Sequence, residues 1–314
     1  MKAGIIGSGM VGATAAFSIM MQNAANEIIL IDRDYNRAKA EADDIRHASP
    51  FAHPINIYAG DYADLVDADI VIITAGASQK PGQTRLDLLK TNASILKDIV
   101  VKVLTQTPET ILLIATNPVD PMTHLAAYYA KSFGVPSSKV IGTGTTLDTA
   151  RFRSLLGVQM GVNPQNVHGY VIGEHGDSEV LTWSIVDIGG LSLEEYTKIR
   201  NIQFGQAERD AIDKSVRYAA YNIIEGKGST YYGIGGAIAR ILNIIKNNQR
   251  SFITICTPVK EIAGVPDVTI GLPHRLGRQG VITTLPFNLN KEETGLLIKS
   301  AEIIKGEISN LNLE

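Results

Sequence analysis

Three side chains in the second half of the sequence could together carry out acid/base chemistry on an anion. His175 stands between Gly173 and Gly176, where the backbone can turn and present the imidazole ring to a ligand. Asp148 and Arg151 are spaced i, i+3 on a predicted helix, so both can point at one cavity. A carboxylate near an imidazole favours the imidazolium, and an arginine can hold a carboxylate through two parallel hydrogen bonds. Taken alone, a structural histidine and a structural salt bridge are the default interpretations.

A glycine-rich turn near the start of the chain has the spacing of a dinucleotide-binding site. Gly7, Gly9 and Gly12 form a G-x-G-x-x-G run that follows an apolar strand and opens a helix, and Asp32 comes twenty residues after the last glycine. The first glycine permits a tight turn, the second lets the backbone approach a pyrophosphate, and the third allows the helix to pack closely on the strand. The helix N-terminus would face the phosphate charge.

The acidic residue after the second strand indicates NAD rather than NADP. Asp32 would accept hydrogen bonds from the adenosine ribose hydroxyls and would repel a 2′-phosphate. Arg33 and Arg37 lie nearby in the sequence and weaken this preference slightly. The alternative is a structural glycine turn followed by a solvated aspartate, which explains the agreement of strand, helix and spacing less well.

The first half of the chain alternates short apolar runs with helical segments. Strands are predicted at 3–6, 27–31, 70–73, 111–115 and 140–141, with helices at 11–21 and 86–104. Continuous apolar strands that alternate with helices indicate a parallel sheet covered on both faces. Segments 74–77 and 115–118 each follow a strand, so they lie at the carboxyl edge, where open α/β sheets bind ligands.

The pattern changes after about residue 143. We predict a helix at 151–156, an extended segment at 167–172 and long helices at 193–225 and 235–246. The expected fold is α/β: a Rossmann-type, doubly wound parallel sheet in an NAD-binding domain, followed by a mixed α+β substrate domain. The two domains are assigned to residues 1–143 and 144–314, since 314 residues suit two domains of about 150 each.

Composition argues against several classes of partner. The net charge of −3 gives no basic footprint for nucleic acid. The single cysteine, Cys256, can form neither an internal disulfide nor a cysteine-rich metal site, and it fits a reducing, cytoplasmic location. Glycines interrupt the apolar N-terminal stretch, unlike a signal peptide, and no run of about 18 purely apolar residues indicates a membrane span. The low charged content of 19% suggests that other subunits cover part of the surface.

Four segments, in sequence and in order, resemble the L-lactate and malate dehydrogenase superfamily. They are the polar Pro-Gly loop 79–85, the Asn-Pro-Val-Asp segment 117–120, the helical segment 148–153 and the histidine segment 172–179. The resemblance covers essentially the whole chain. It implies an NAD-dependent oxidoreductase that interconverts a 2-keto acid and its L-2-hydroxy acid.

The resemblance also implies a role for each polar residue of these segments. His175 would be the acid/base catalyst and Asp148 its partner, because hydride transfer to a keto carbon builds negative charge on the oxygen that an imidazolium can protonate. Arg151 would grip the substrate carboxylate, Arg85 would close over the carbonyl on a mobile lid, and Asn117 would help to hold the substrate oxygen. The implied cofactor-binding residues are Gly7, Gly9, Met10, Val11, Gly12, Asp32, Arg37, Tyr62, Gly76, Ala77, Ala115, Thr116 and Asn117.

Two substrate-binding positions favour pyruvate and L-lactate within this superfamily. Gln79 occupies the position at which the malate enzymes carry an arginine, so a dicarboxylate would leave an unpaired charge in a closed site. Thr230 matches the substrate-pocket threonine and suits a small side chain. A malate or other L-2-hydroxy acid dehydrogenase is the alternative. A catalytically silent NAD-binding sensor is the alternative from another class of protein. A sensor would be expected to lack at least one of the four catalytic residues, but the sequence contains all of them: His175, Asp148, Arg151 and Arg85.

A second pair of cationic side chains indicates a regulatory site. Arg151 and Arg153 are two residues apart on a helix, about 200° around its axis, so they should face opposite ways. His168 and His175 are seven apart in a predicted strand, which places them on opposite faces and argues against a shared metal site; no metal is expected. The resemblance implies that Arg153 and His168 bind fructose 1,6-bisphosphate at a subunit interface of a homotetramer. Two solvated or interface-structural cations are the alternative.

Overall fold

The computed structural model of the chain describes residues 1–77 and 85–311, apart from the side chains of residues 85 and 86. Gln79 and the rest of the predicted lid up to Thr84 lie outside the described residues. Within these ranges the strands are β1 (Lys2–Ile6), β2 (Glu27–Ile31), β3 (Asn56–Ala59), β4 (Ile70–Ile73), β5 (Ile111–Ile114), β6 (Val140–Gly142), β7 (Val167–His168), β8 (Val171–Ile172), β9 (Val180–Leu181), β10 (Asp187–Ile188), β11 (Leu191–Ser192), β12 (Ser251–Ile262), β13 (Val265–Gly277) and β14 (Gly280–Thr284).

The α-helices of the described ranges alternate with the first strands and then dominate the second half. They are α1 (Met10–Met21), α2 (Tyr35–Ala48), α3 (Arg85–Gln106), α4 (Val119–Lys131), α5 (Thr146–Met160), α6 (Leu193–Arg200), α7 (Gln206–Arg217), α8 (Ala219–Lys227), α9 (Tyr232–Lys246) and α10 (Lys291–Ser309). No helix in this part of the chain combines the length and the apolar character that crossing a bilayer requires.

Nine of the described strands form one sheet in the order β14-β13-β12-β6-β5-β4-β1-β2-β3. The strands from β6 to β3 run parallel. Every residue of β4 and β5 is buried, as expected for continuous apolar strands covered on both faces. Helices α1, α2 and α9 pack on one face and α3 and α4 on the other. The predicted α/β fold with a doubly wound parallel sheet is confirmed.

The strand order reverses beside β1, and a reversal of this kind is where doubly wound sheets form a ligand crevice at their carboxyl edge. β1 pairs with β2 on one side and with β4 on the other, although the chain reaches β4 only after β3. The register aligns Ile6 with Ile73, and Ile73 with Ile114. The loops that leave these three strands therefore emerge side by side, at the point where doubly wound sheets bind their ligands.

Three helices stand where the sequence predicted one helix over 193–225, so that prediction was wrong. α6 ends at Arg200 because Asn201 adopts a left-handed conformation with φ 53°. α7 begins anew at Gln206, where Glu208 accepts a hydrogen bond from the Gly205 N–H at 2.7 Å. A left-handed asparagine ends a helix without interrupting the apolar periodicity, so the pattern alone did not reveal the break.

The sheet continues beyond residue 143 through a hairpin that the sequence did not predict. β12 and β13 pair from Ser251 with Leu276 to Ile262 with Val265. β12 joins the parallel strands at Cys256, which pairs with Gly142 of β6. The thiol is fully buried, in agreement with its apolar sequence setting. The division into two domains at residue 143 stays a prediction.

His274 on β13 is a buried titratable side chain. It is 0% exposed, and its Nδ1 lies 3.1 Å from Thr284 Oγ1 on β14. Its Nε2 has no hydrogen-bond partner in the described part of the chain. Burial lowers the pKa of His274 to about 4, so the ring is neutral in the folded protein near neutral pH.

The buried His274 should make the folded state sensitive to mild acid. A histidine in the unfolded chain titrates near 6.5, so the stabilising contribution is complete above pH 6.5 and is lost as the pH falls towards 4. The full effect is about 3 kcal/mol in the free energy of unfolding. We expect His274→Gln to flatten this part of the pH dependence, measured by denaturant titration, and exposed His53→Gln to leave it unchanged. Equal pH dependence for the wild type and the His274 variant would contradict the assignment.

Candidate active site

The imidazole of His175 and the guanidinium of Arg151 share one buried carboxylate. His175 Nδ1 lies 2.6 Å from Asp148 Oδ2, and Arg151 Nη1 donates to Asp148 Oδ1 at 2.9 Å. Asp148 and Arg151 lie one turn apart on α5, which places them on the same side of the helix. The side chain of Asp148 is 2% exposed and that of His175 is 26% exposed, so the ring can still be reached from outside. Three of the predicted catalytic residues are thus in contact, while their roles stay predictions.

This arrangement favours a charged imidazole. The charge of Asp148 raises the pKa of His175 to about 9, although burial opposes this shift. The charges of Asp120 and Glu179 also raise this pKa. Burial alone would raise the pKa of Asp148, but His175 and Arg151 outweigh it and hold that pKa below its ordinary value. Because Nδ1 of the ring faces Asp148, Nε2 is the nitrogen that can present a proton to a substrate.

Main-chain hydrogen bonds fasten the loop that carries the histidine. Gly173 exchanges two backbone hydrogen bonds with β13, at 2.9 and 3.0 Å. Glu174 N–H donates to Ser300 Oγ at 2.8 Å, and His175 N–H donates to Asp120 Oδ2 at 2.8 Å. With φ 95°, Gly173 adopts a conformation that glycine tolerates and other residues avoid, so the chain can turn there. Sequence analysis assigned no role to Ser300 or Asp120, although Asp120 stands in the recognised segment 117–120.

The glycine turn has the steric properties predicted for a pyrophosphate site. A Cβ at Gly12 would lie 1.9 Å from the carbonyl oxygen of Gly7, so helix and turn pack too closely for any side chain. Among the described residues, apart from its chain neighbours, a Cβ at Gly9 would meet nothing within 4 Å. Gly9 caps α1 without a side-chain hydrogen bond, and the first turn of the helix contains no acidic residue. The main-chain N–H groups at the start of α1 can therefore donate hydrogen bonds to an anion.

Asp32 and the first turn of α1 lie against this same glycine turn. Asp32 Oδ2 accepts a hydrogen bond from Ser8 N–H at 2.6 Å, and its Oδ1 accepts one from Asp34 N–H at 3.0 Å. Met10 and Val11 are the first two residues of the helix. Amide donors beside a fixed carboxylate suit a dinucleotide, whose pyrophosphate needs donors and whose ribose hydroxyls need an acceptor.

Asn92 on α3 ties together the loops that follow β4 and β5. The buried amide accepts a hydrogen bond from Ala77 N–H at 2.8 Å and donates one to the Asn117 carbonyl oxygen at 3.0 Å. Sequence analysis missed Asn92, because its partners lie 15 and 25 residues away and no local pattern reveals them. The carboxyl edge thus brings together five predicted cofactor-binding residues: Gly76, Ala77, Ala115, Thr116 and Asn117.

The other predicted ligand-binding residues occupy separate positions. Arg37 is exposed on α2, and half-buried Tyr62 follows β3 with its ring centroid 5.5 Å from Lys102 Nζ. Thr230 is half-buried between α8 and α9. Arg85 is the first residue of α3. Their contributions to a ligand site stay predictions, as does that of Gln79.

Arg153 leaves α5 in a different direction from Arg151. Arg153 Nε donates to the Gly169 carbonyl oxygen at 2.9 Å, and its guanidinium carbon lies 5.2 Å from the ring centroid of Tyr170. His168, next to Gly169 in the chain, is exposed. The Arg153 guanidinium thus contacts the residue that follows His168 in the chain, whereas Arg151 contacts the Asp148 carboxylate.

The segment predicted as extended over 167–172 forms two short strands that belong to different sheets. β7 pairs with β10, whereas β8 pairs with β9 in another sheet, because the chain leaves the first ladder at Gly169. Alternation along a single strand therefore does not apply to His168 and His175, and it does not explain why their side chains have different surroundings. Within the described ranges no group of three or more side chains could hold a metal ion.

The chain is similar to known proteins over its whole length. Residues 1–142 match the lactate/malate dehydrogenase NAD binding domain, and residues 145–313 match the lactate/malate dehydrogenase alpha/beta C-terminal domain. The L-lactate dehydrogenase of Geotalea daltonii is 49% identical over 100% of both chains, and that of Thermus aquaticus is 50% identical over 99% of both. The solved structure of the minor L-lactate dehydrogenase from Enterococcus mundtii in its ligands-bound form has a TM-score of 0.95 at 37% identity, over 100% of this chain and 99% of that one.

The chain belongs to the lactate/malate dehydrogenase family. The prediction of NAD as its cofactor is thereby confirmed.

Two substitutions in the glycine turn should separate cofactor binding from folding. A methyl group at Gly9 enters the open space beside the first turn of α1, so Gly9→Ala should keep the wild-type Tm but weaken NADH binding about tenfold or more. Gly12→Ala should lower the Tm because its Cβ collides with the Gly7 carbonyl. Thermal unfolding and NADH fluorescence titration measure the two effects, with exposed Gly306→Ala on α10 as the control. Unaltered NADH affinity in Gly9→Ala would refute the proposed path of the pyrophosphate.

Proposed function

We propose that the chain is an L-lactate dehydrogenase that transfers hydride reversibly between NADH and pyruvate. The observation that carries the proposal is the single buried carboxylate of Asp148 that contacts both His175 and Arg151. One carboxylate thus fixes a proton donor and a carboxylate-binding group at neighbouring positions. A 2-keto acid presents the matching pair of groups, a carbonyl oxygen and a carboxylate, on adjacent carbons.

The residues at the carboxyl edge fit NAD. Gly9 leaves the space beside the amides of α1 open, and the Asp32 carboxylate is held next to Ser8. When bound, NADH supplies the hydride that the keto carbon accepts. The rest of the chemistry belongs to side chains of this chain, which hold the substrate and move a proton.

Each contact of Asp148 has a distinct consequence for the reaction. The charged His175 can donate its Nε2 proton to the keto oxygen, and Asp148 stabilises the imidazolium before that step and orients the ring. Arg151, anchored by one hydrogen bond to Asp148, keeps further N–H donors with which to hold the substrate carboxylate. In the reverse direction neutral His175 accepts the hydroxyl proton of lactate.

The preference for pyruvate rests on Gln79 and Thr230. A neutral residue at position 79 offers no countercharge to the second carboxylate of oxaloacetate, and the unpaired charge would cost free energy in a water-excluded site. Arg85 is the cationic residue that we propose for the carbonyl group, and Gln79 is the residue that we propose for the substrate's methyl end. We also propose a cytoplasmic location, for which the single cysteine is the support.

A panel of 2-keto acids tests the substrate. We expect NADH oxidation with the highest kcat/KM for pyruvate, and we expect Gln79→Arg to raise the oxaloacetate-to-pyruvate ratio of kcat/KM by about a hundredfold. Gln106→Arg, at the far end of α3, is the matched control and should leave the ratio unchanged. A wild type that prefers oxaloacetate would make the chain a malate dehydrogenase. The absence of turnover with every keto acid, despite NADH binding, would identify the silent sensor instead.

We further propose that the protein is a homotetramer activated by fructose 1,6-bisphosphate at Arg153 and His168. Arg153 donates to the carbonyl oxygen of Gly169, the residue that follows His168 in the chain, and both side-chain types suit phosphate. One such sugar could bind Arg153 and His168 of one subunit and the same two residues of a second subunit. It would then favour the quaternary state that brings the two sites together. The alternative, structural cations, predicts no response to the sugar.

Pyruvate saturation curves with and without fructose 1,6-bisphosphate test the regulatory site. We expect the effector to lower the pyruvate concentration at half-saturation, by about fivefold or more, and to stabilise the tetramer in sedimentation experiments. Arg153→Gln and His168→Gln should each abolish the response while basal turnover is retained. Arg278→Gln, an exposed arginine at the amino edge of the sheet, should respond as the wild type does. Identical curves with and without effector, at neutral and at mildly acidic pH, would contradict this part of the proposal.

A further inference from the structure

A second buried carboxylate contacts the loop that carries His175. Asp120, in the first turn of α4, is 1% exposed. Its Oδ2 accepts the hydrogen bond from the main-chain N–H of His175 at 2.8 Å. Its Oδ1 is buried, and the Cys256 thiol is a side-chain group that neighbours the carboxylate. Burying a carboxylate costs free energy, so a merely space-filling role would be served better by an apolar side chain.

The position of Asp120 in the chain gives this contact a specific effect. It lies three residues after Asn117, whose carbonyl oxygen accepts the hydrogen bond from Asn92 at 3.0 Å. The short segment 117–120 is therefore fixed to α3 at one end and to the main chain of His175 at the other. His175 belongs to the second half of the chain and Asn117 to the first. The Asp120 contact therefore ties the main chain of His175 to the segment that begins with Asn117.

We propose that Asp120 is a positioning residue for the reaction proposed above: its carboxylate fixes the main chain of His175 against the edge that carries Asn117. Asp148 fixes the orientation of the His175 ring, and Asp120 fixes the position of the main chain that carries the ring. Both constraints are needed because a displacement of about 1 Å at a reacting group can cost about a hundredfold in rate.

The charge of Asp120 has a second, smaller effect. The titratable groups that face it are His175, Cys256 and Glu174, and those that face the imidazole are Asp148, Asp120 and Glu179. Burial raises the pKa of Asp120 to about 7, although His175 opposes this. Ionised Asp120 in turn helps to keep the imidazole charged. An asparagine can replace the hydrogen-bond acceptor but not the charge, so the two effects can be separated.

Paired substitutions test the positioning role. We expect Asp120→Leu to lower kcat for pyruvate about a hundredfold with NADH affinity within about twofold of the wild type. Asp120→Asn should restore most of kcat and move the alkaline limit of the pH profile to lower pH. The controls are Glu293→Leu and Glu293→Gln, which alter another buried carboxylate that accepts a main-chain hydrogen bond, from Ser184. An Asp120→Asn enzyme as impaired as Asp120→Leu, or a Glu293→Leu enzyme with the same loss of kcat, would overturn the proposal.

Hydrogen exchange at the His175 amide tests the contact without reference to any substrate. Loss of the acceptor in Asp120→Leu should speed exchange of this amide at least tenfold relative to the wild type, whereas Asp120→Asn should keep most of the protection. Unchanged exchange in Asp120→Leu would overturn the positioning role even in an active enzyme. A wild type that reduces no keto acid but shows the expected exchange pattern would refute the proposed function and leave the contact of Asp120 with His175 established.

Discussion

The ion pair between Asp148 and His175 is the interaction on which the rest of the site depends. A carboxylate as deeply buried as Asp148 is costly to keep charged, and two cationic partners on its two oxygens offset that cost. The same contacts convert a histidine that would otherwise be largely neutral near pH 7 into an imidazolium. The contacts that stabilise the buried carboxylate are therefore the same contacts that fix the proposed proton donor and the proposed carboxylate-binding group.

The fold supplies this pair with its surroundings from both halves of the chain. Parallel strands deliver the glycine turn, the loop after β4 and the segment 117–120 to one edge of the sheet. α5 presents Asp148 and Arg151, and the turn at Gly173 carries His175 towards them. Hydrogen bonds from Asn92 and to Asp120 then join these pieces across long distances in the sequence. The site is thus preorganised by buried contacts on rigid elements rather than by the loops alone.

Most of the features that could be predicted from the sequence depend on residues close to one another in the chain. The glycine spacing, the apolar strands and the i, i+3 spacing of Asp148 and Arg151 each depend on neighbouring residues, and the parallel sheet, the turn and the placement of those two side chains on one side of a helix followed from them. The pairing of Asp148 with His175 rested on the family resemblance. Long-range pairing escaped prediction. The hairpin β12–β13 and the contacts of Asp120 and Asn92 are decided by distant partners, and the helix over 193–225 was divided by the left-handed Asn201. The role of Gln79 rests on resemblance, since it lies outside the described residues.

The protonation state of His175 in the resting protein tests the central claim most directly. A pH titration of the His175 ring by nitrogen NMR, in the wild type and in Asp148→Asn, reports both ring nitrogens separately. We predict a pKa near 9 in the wild type, with both nitrogens protonated at neutral pH, and a markedly lower pKa once the carboxylate is replaced. A wild-type ring that is neutral at pH 7, or one whose pKa does not depend on Asp148, would contradict the account.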